Sequence, residues 1–198
     1  VAYNDSEERI SKMFQVGERI YFQRMGLGVF QIENSKASLF IDDAAIRDTE
    51  IVNIFSGGQE LLILTRNKGF YSYSNGQLTR STSAVNQKIE AFSTYNAIQL
   101  SNGNFALGTT SNGLIYLNRQ QGVIYEINQR NGLLNNTVLS VFEDVDHNIW
   151  SGLDNGINYI NINAPIRVYR DKKGTIGSVY ATAVHQGNLY LGTNQGLL

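Results

Sequence analysis

Cysteine is absent from this 198-residue chain and proline occurs once. Without cysteine there are no disulfides, no thiolate metal sites and no cysteine nucleophile, although the compartment stays open. Charged side chains make up only 17% of the chain, below the roughly 25% of average globular proteins. Sixteen basic and 17 acidic residues leave a net charge of −1. There is no long basic run, so the electrostatic footprint of nucleic-acid or membrane-surface binding is missing. No apolar run approaches the roughly 20 residues that a membrane helix requires. The first ten residues, VAYNDSEERI, lack the basic-then-apolar form of a signal peptide.

What the chain does have is 19 glycines, 11 tyrosines and 9 phenylalanines. Together with Val, Ile and Thr, that mixture favours strands and turns over helices. The length suits one domain with a sizeable core.

The informative feature is a repeat. Segments 18–32, 60–74, 104–118, 148–161 and 188–198 align on a turn glycine: Gly28, Gly69, Gly113, Gly156 and Gly196. The intervals are 41, 44, 43 and 40 residues, a regularity that marks a repeat architecture. The fourth unit reads as four strands, TVLSVFED, NIWSGL, INYIN and IRVYRD, separated by the polar turns DVDHN, DNG and NINAP. Four short strands per unit, joined by hairpins, describe the blade of a β-propeller. A β-helix or open solenoid is the rival, but NKG, SNG, DNG and NQG signal tight antiparallel hairpins. The expected fold is therefore all-β: a propeller arc of four-stranded antiparallel blades at 9–41, 50–82, 90–129, 137–171 and 178–198, the last incomplete. In the third blade the first strand is expected to run from Glu90 to Leu100. Propellers close with typically 4 to 8 blades, so five units could nearly close a ring, but the unfinished last blade reads as a fragment of a larger one. An open arc exposes strand edges, so self-association, such as a homodimer, is expected.

Residues 131–161, NGLLNNTVLSVFEDVDHNIWSGLDNGINYIN, resemble the two-component regulator propeller repeat. The likeness lies in the Leu-x-x-Asn loop, the V-x-S-[IV]-x-E-D strand, the D-x-x-[GN]-x-[IL]-W strand start and the glycine turn. Segments 187–197 and 103–114 match its central part, and the first two units match in spacing and glycine placement. The resemblance implies a periplasmic sensor region of Bacteroidetes-type hybrid two-component or related one-component regulators, many of them associated with polysaccharide use. Membrane attachment, kinase and DNA-binding output would lie in segments outside this chain. It implies an oligosaccharide ligand; no cofactor, no metal and no nucleic-acid contact by this region are expected from the residues themselves.

Several constellations bear on chemistry. Asp144-x-Asp146-x-Asn148 begins like an EF-hand loop, but the sixth position is Ile149 and the twelfth Asn155, where glycine and glutamate are required. The series also resembles the Asp-box hairpins of sialidase propellers, and a turn between strands one and two is the expectation. Trp150 occupies the register position of Tyr21, Leu62, Ala106 and Tyr190, which reads as blade-to-blade packing; a sugar platform is the alternative. His147 and His185 show no metal-ligand spacing. No G-x-S-x-G segment supports a serine hydrolase, and Glu143 with Asp144 or Asp146 are glycosidase carboxylates by type alone. Asn135-Asn136-Thr137 fits the glycosylation sequon.

In propellers, the loops between strands two and three share one face with the blade-joining segments. Here they supply Arg24, Arg66, Asn67, Lys68, Asn112, Asp154 and Asn155 as the expected ligand-binding set. These hydrogen-bonding types suit hydroxyl and acidic groups. Arg24, Arg66 and Lys68 lead the set, since cations in equivalent loops of neighbouring blades would converge. The expected function is non-catalytic recognition of glycan fragments. A polysaccharide hydrolase or lyase and a protein-binding scaffold are the alternatives.

Overall fold

The computed structural model describes residues 12–164 and 174–198. They form two compact units that divide after Ile162.

The first unit holds four antiparallel sheets, each a simple meander. The first blade comprises β1 (Met13–Val16), β2 (Arg19–Arg24), β3 (Gly28–Glu33) and β4 (Lys36–Ile41). After the helical turn α1 (Ala44–Arg47), the second has β5 (Ile51–Ser56), β6 (Leu61–Thr65), β7 (Gly69–Ser74) and β8 (Gln77–Arg80). Helix α2 (Ala84–Glu90) leads to β9 (Thr94–Gln99), β10 (Phe105–Thr109), β11 (Leu114–Asn118) and β12 (Gly122–Ile127). The fourth blade has β13 (Val138–Glu143), β14 (Ile149–Leu153) and β15 (Ile157–Ile160). Its expected fourth strand, 166–171, lies outside the described residues, as does the start of the first blade at 9–11. The second unit carries β16 (Val179–His185), β17 (Asn188–Thr193) and β18 (Gly196–Leu197) in one sheet.

Alternation along the middle strands explains why the blades stack. On β6, Leu62 and Leu64 join the core shared with the third blade, while Ile63 points back into the core shared with the first. On β10, Phe105 and Leu107 face the second blade and Ala106 faces the fourth. A strand buried on both faces reads as a continuous apolar run, which is what LLIL and LIYL supply. The outer strands β8 and β12 are mostly exposed or half-buried. Among the described residues of this unit three separate cores result, one at each of its blade junctions, the middle one tied by T-shaped contacts of Phe105 with Phe55 and Phe70 at 5.1 and 5.2 Å.

Two blade connections are helical, which the strand-biased composition did not suggest. Asp43 caps α1, its carboxylate accepting from Ala45 N at 2.8 Å; Ser83 caps α2, its hydroxyl accepting from Asn86 N at 3.2 Å. Val85 and Ile89, one helical turn apart, drop into the core between the second and third blades. The expected strand from Glu90 is corrected accordingly: Glu90 closes α2 and the strand starts at Thr94. Buried Gln23 fastens the first connection, donating to Ile46 O at 3.0 Å and Thr49 O at 2.9 Å and accepting from Ile51 N at 2.9 Å.

Candidate functional site

The strand two–three loops and the blade connections do share one face, because their main chains bond to one another. Gly26 N donates to Arg47 O, Arg66 N to Glu50 O, Thr94 N to Arg66 O, Thr110 N to Ser93 O and Asp154 N to Thr137 O, all within 3.1 Å. Threonines shape these loops. Thr65 Oγ1 donates to Gly69 O at 2.9 Å and accepts from Lys68 N at 3.1 Å. Thr109 does the same with Gly113 O and Asn112 N, both at 2.8 Å. In the second unit Thr193 repeats the device with Gly196 O and Gln195 N, both at 3.0 Å. The segments TRNKG, TTSNG and TNQG carried that signal, and only the glycine was read from it.

The cations of the expected set are held by different partners. The Arg66 guanidinium spans two connections, donating to Glu50 Oε2 at 2.8 Å and Ser93 Oγ at 3.0 Å. Lys12 also reaches Glu50, at 3.3 Å, and donates to Tyr95 O at 3.0 Å. Partial burial pushes the Glu50 carboxyl up, but hydrogen bonds and charge from Arg66 and Lys12 outweigh that and hold it below its ordinary range. Neither Glu50 nor Ser93 was singled out from the sequence, because pairings across connections have no local signature. Lys68 extends instead to Ala45 O of α1, at 3.2 Å. The Arg24 guanidinium lies 5.2 Å from the Phe30 ring centroid. Asn67, Asp154 and Asn155 are exposed loop residues, and the Asn112 side chain accepts from Ser111 Oγ at 3.0 Å.

The acidic stretch of the fourth blade is a turn, as expected. Asp144 Oδ1 accepts from Asp146 N at 3.0 Å and Asn148 N at 2.8 Å, and Oδ2 accepts from Trp150 Nε1 at 2.8 Å. The indole and amide hydrogen bonds hold the Asp144 carboxyl below its ordinary range. His147 turns the corner with φ of 62°. Trp150 lies in a row with Phe142 and Tyr159 across the sheet and meets Tyr159 edge-on at 5.2 Å. Trp150 is 41% exposed and Tyr190 37%, so the expected packing is not seen at these two positions, whereas their register equivalents Tyr21, Leu62 and Ala106 are no more than 2% exposed, each turned toward the following blade.

Beside that turn Ser101, His147 and Glu143 meet. Ser101 Oγ donates to Glu143 Oε1 at 2.7 Å, and His147 Nδ1 lies 2.9 Å from the same hydroxyl and 3.2 Å from the same carboxylate oxygen. A relay needs serine and acid on opposite ring nitrogens; here both sit on Nδ1. Ser101 N also donates to Glu143 Oε2 at 2.7 Å, so the cluster staples the hairpins of the third and fourth blades. Partial burial pushes Glu143 up, but the two Ser101 bonds and His147 hold its carboxyl below the ordinary range.

No protein-family model and no curated protein matches the chain. Solved structures do. The extracellular domain of the protein described as hybrid two component system BT3049 of B. thetaiotaomicron matches with a TM-score of 0.62 at 19% identity over 97% of this chain and 26% of its own. The extracellular domain described as that of one component system BT4673 from the same organism matches with a TM-score of 0.58 at 22% identity, over 95% of this chain and 26% of its own. PorZ of Porphyromonas gingivalis, a bacterial surface component of the type-IX secretion system, gives 0.55 at 18% identity over 92% and 28%. The chain spans about a quarter of the length of these structures. It has their fold, the one that the repeat at 131–161 resembles.

Proposed function

We propose that this chain is a non-catalytic recognition region of a signal-transduction regulator, acting outside the cytoplasmic membrane and responding to glycan fragments. What supports the reading is a likeness to extracellular domains of two regulatory systems that spans nearly the whole chain. The loop face offers the binding surface: Arg24, Arg66 and Lys68 for acidic groups, and Asn67, Asn112, Asp154 and Asn155 for hydroxyls. A ligand bridging the loops of adjacent blades would bias how subunits pack, with self-association as the output of this region. The shared Nδ1 geometry of Ser101, His147 and Glu143 speaks against hydrolysis at that cluster.

The test is calorimetric titration with neutral and acidic oligosaccharides, followed by chromatography of each mixture. Saturable heat with intact sugar is expected, strongest for acidic ligands. Shortened or unsaturated products would favour an enzyme instead. The loop-face site fails if an Arg24→Ala/Arg66→Ala variant keeps full affinity for the acidic ligand.

A further inference from the structure

A groove of about 730 Å³ lies between the first and second blades. Its walls come from hairpins joining strands one to two and three to four. Antiparallel topology places those hairpins at the blade ends remote from the loops that carry Arg24 and Arg66.

The groove is built on an aromatic floor. Tyr21 and Phe40 pack at 5.3 Å between ring centroids, and Phe40 meets Tyr73 edge-on at 5.2 Å. Tyr21 is buried to 1% exposure and belongs to the core between these blades, so the floor is anchored. Phe40 and Tyr73 are half-buried and line the groove. Tyr73 Oη donates to Phe40 O at 3.4 Å, which fixes the ring across the blade junction. At the rim, the hairpins of the two blades present equivalent amides, Asn34 and Asn75, both left-handed with φ of 49° and 51°. Three carboxylates, Glu18, Glu33 and Glu60, also line it, against one lining cation, Arg19; Glu60 is in addition paired with Arg119 at 3.8 Å.

Each part restricts the ligand. Carboxylates only accept hydrogen bonds, whereas amides donate and accept, so the rim suits a ligand rich in hydroxyls or ammonium groups. The ring floor suits the apolar face of a sugar or an attached cation. The excess of carboxylate opposes sulfate and uronate groups through like-charge repulsion. The volume falls within the roughly 300–1,000 Å³ of small-ligand sites. We propose that the groove between the first and second blades binds a short oligosaccharide that is uncharged or amino-bearing, and rejects acidic sugars. This site is independent of the loop face and has the opposite charge preference.

The experiment is isothermal titration of the full chain with trisaccharides of mannose, N-acetylglucosamine and glucosamine, a sulfated disaccharide and a lysine-rich peptide. At least one uncharged or amino trisaccharide is expected to bind saturably, and the sulfated sugar at least ten-fold more weakly to the Arg24→Ala/Arg66→Ala variant, which lacks the loop-face cations. Glu18→Gln/Glu33→Gln should narrow that difference. Tyr73→Ala should weaken the bound trisaccharide at least ten-fold and Tyr73→Phe far less. If Tyr73→Ala melts early, Asn34→Gly/Asn75→Gly supplies the same reading, because glycine keeps the left-handed turns and removes both amides. Arg24→Ala/Arg66→Ala should leave this binding unchanged, which separates it from the loop-face site. The proposal is overturned if no uncharged or amino trisaccharide binds, if the sulfated sugar binds the Arg24→Ala/Arg66→Ala variant as tightly, if the peptide alone binds, or if the groove variants keep full affinity.

Discussion

At the scale of single residues, much of the chain's polar chemistry stabilises turns and junctions. Asp144 gathers a backbone turn, an amide and the only tryptophan around one carboxylate. Glu143 ties the fourth blade to the third, and Glu50 joins Arg66 of the second blade to Lys12 at the start of the first. All three carboxyls are held below their ordinary values of 3.8 for Asp144 and 4.5 for the glutamates. A depressed carboxyl contributes stability that is present above the unfolded pKa and lost as pH falls through the folded one. Thermal stability should therefore hold near neutrality and fall below about pH 4. Asp144→Asn should flatten part of that acid loss while lowering the melting temperature at pH 7; differential scanning calorimetry across pH 2–7 would show both. Gln23 makes a separate case. Gln23→Leu would strand the buried Thr49 carbonyl and the Ile51 N–H, while Ile46 O keeps its bond from Thr49 N at 3.2 Å; the cost, on the order of 3 kcal/mol, is measurable by urea denaturation.

At the scale of elements, the strand two–three loop is the unit that repeats. Gly113 sits at φ of +82°, and a Cβ there would fall on the carbonyl oxygen of Ile127 and the backbone of Asn128. Gly196, at φ of +123°, would meet nothing within 4 Å. Both alanine substitutions are strained in the backbone, but only Gly113→Ala also collides with main chain, so it should destabilise the fold far more. Comparative melts of the two variants decide this. Thr109 contributes both of its loop hydrogen bonds from a fully buried position, so Thr109→Val should cost about 1–3 kcal/mol. The loop was legible in the sequence only as a glycine in register. The threonine's part was hidden because a hydroxyl bonding its own turn leaves no periodicity. Helices α1 and α2 were missed for a different reason. Each is short and dominated by its cap and one or two core contacts, and the strand-rich composition around them outweighed that signal.

At the scale of the molecule, stability is organised by blade junctions. The second and third blades each share two cores, while the first and fourth each share one among the described residues of their unit. Nearest-neighbour terms dominate such stacks. Native-state hydrogen exchange should accordingly be slowest in β6, β7, β10 and β11, with β1 and β15 opening first. Leu107→Ala, in the core between the second and third blades, should cost about 2–5 kcal/mol. It should also speed exchange in both of those blades.

The sequence by itself determined the repeat, the four-stranded blade, the all-β class and the face on which the strand two–three loops gather. These follow from periodicity: glycines at near-constant spacing fix the turns, and alternation of side chains fixes which residues are buried. It also made the Asp144 stretch legible as a turn, since the residues that bond there are neighbours in the chain. Tertiary structure alone decided the rest. Arg66 was recognisable as a loop cation, but its engagement with Glu50 and Ser93 joins residues 16 and 27 positions away. Tyr21, Phe40 and Tyr73 come together across two blades to floor the groove. Local spacing encodes what bonds within a strand or turn; contacts between blades exist only once the sheets have stacked.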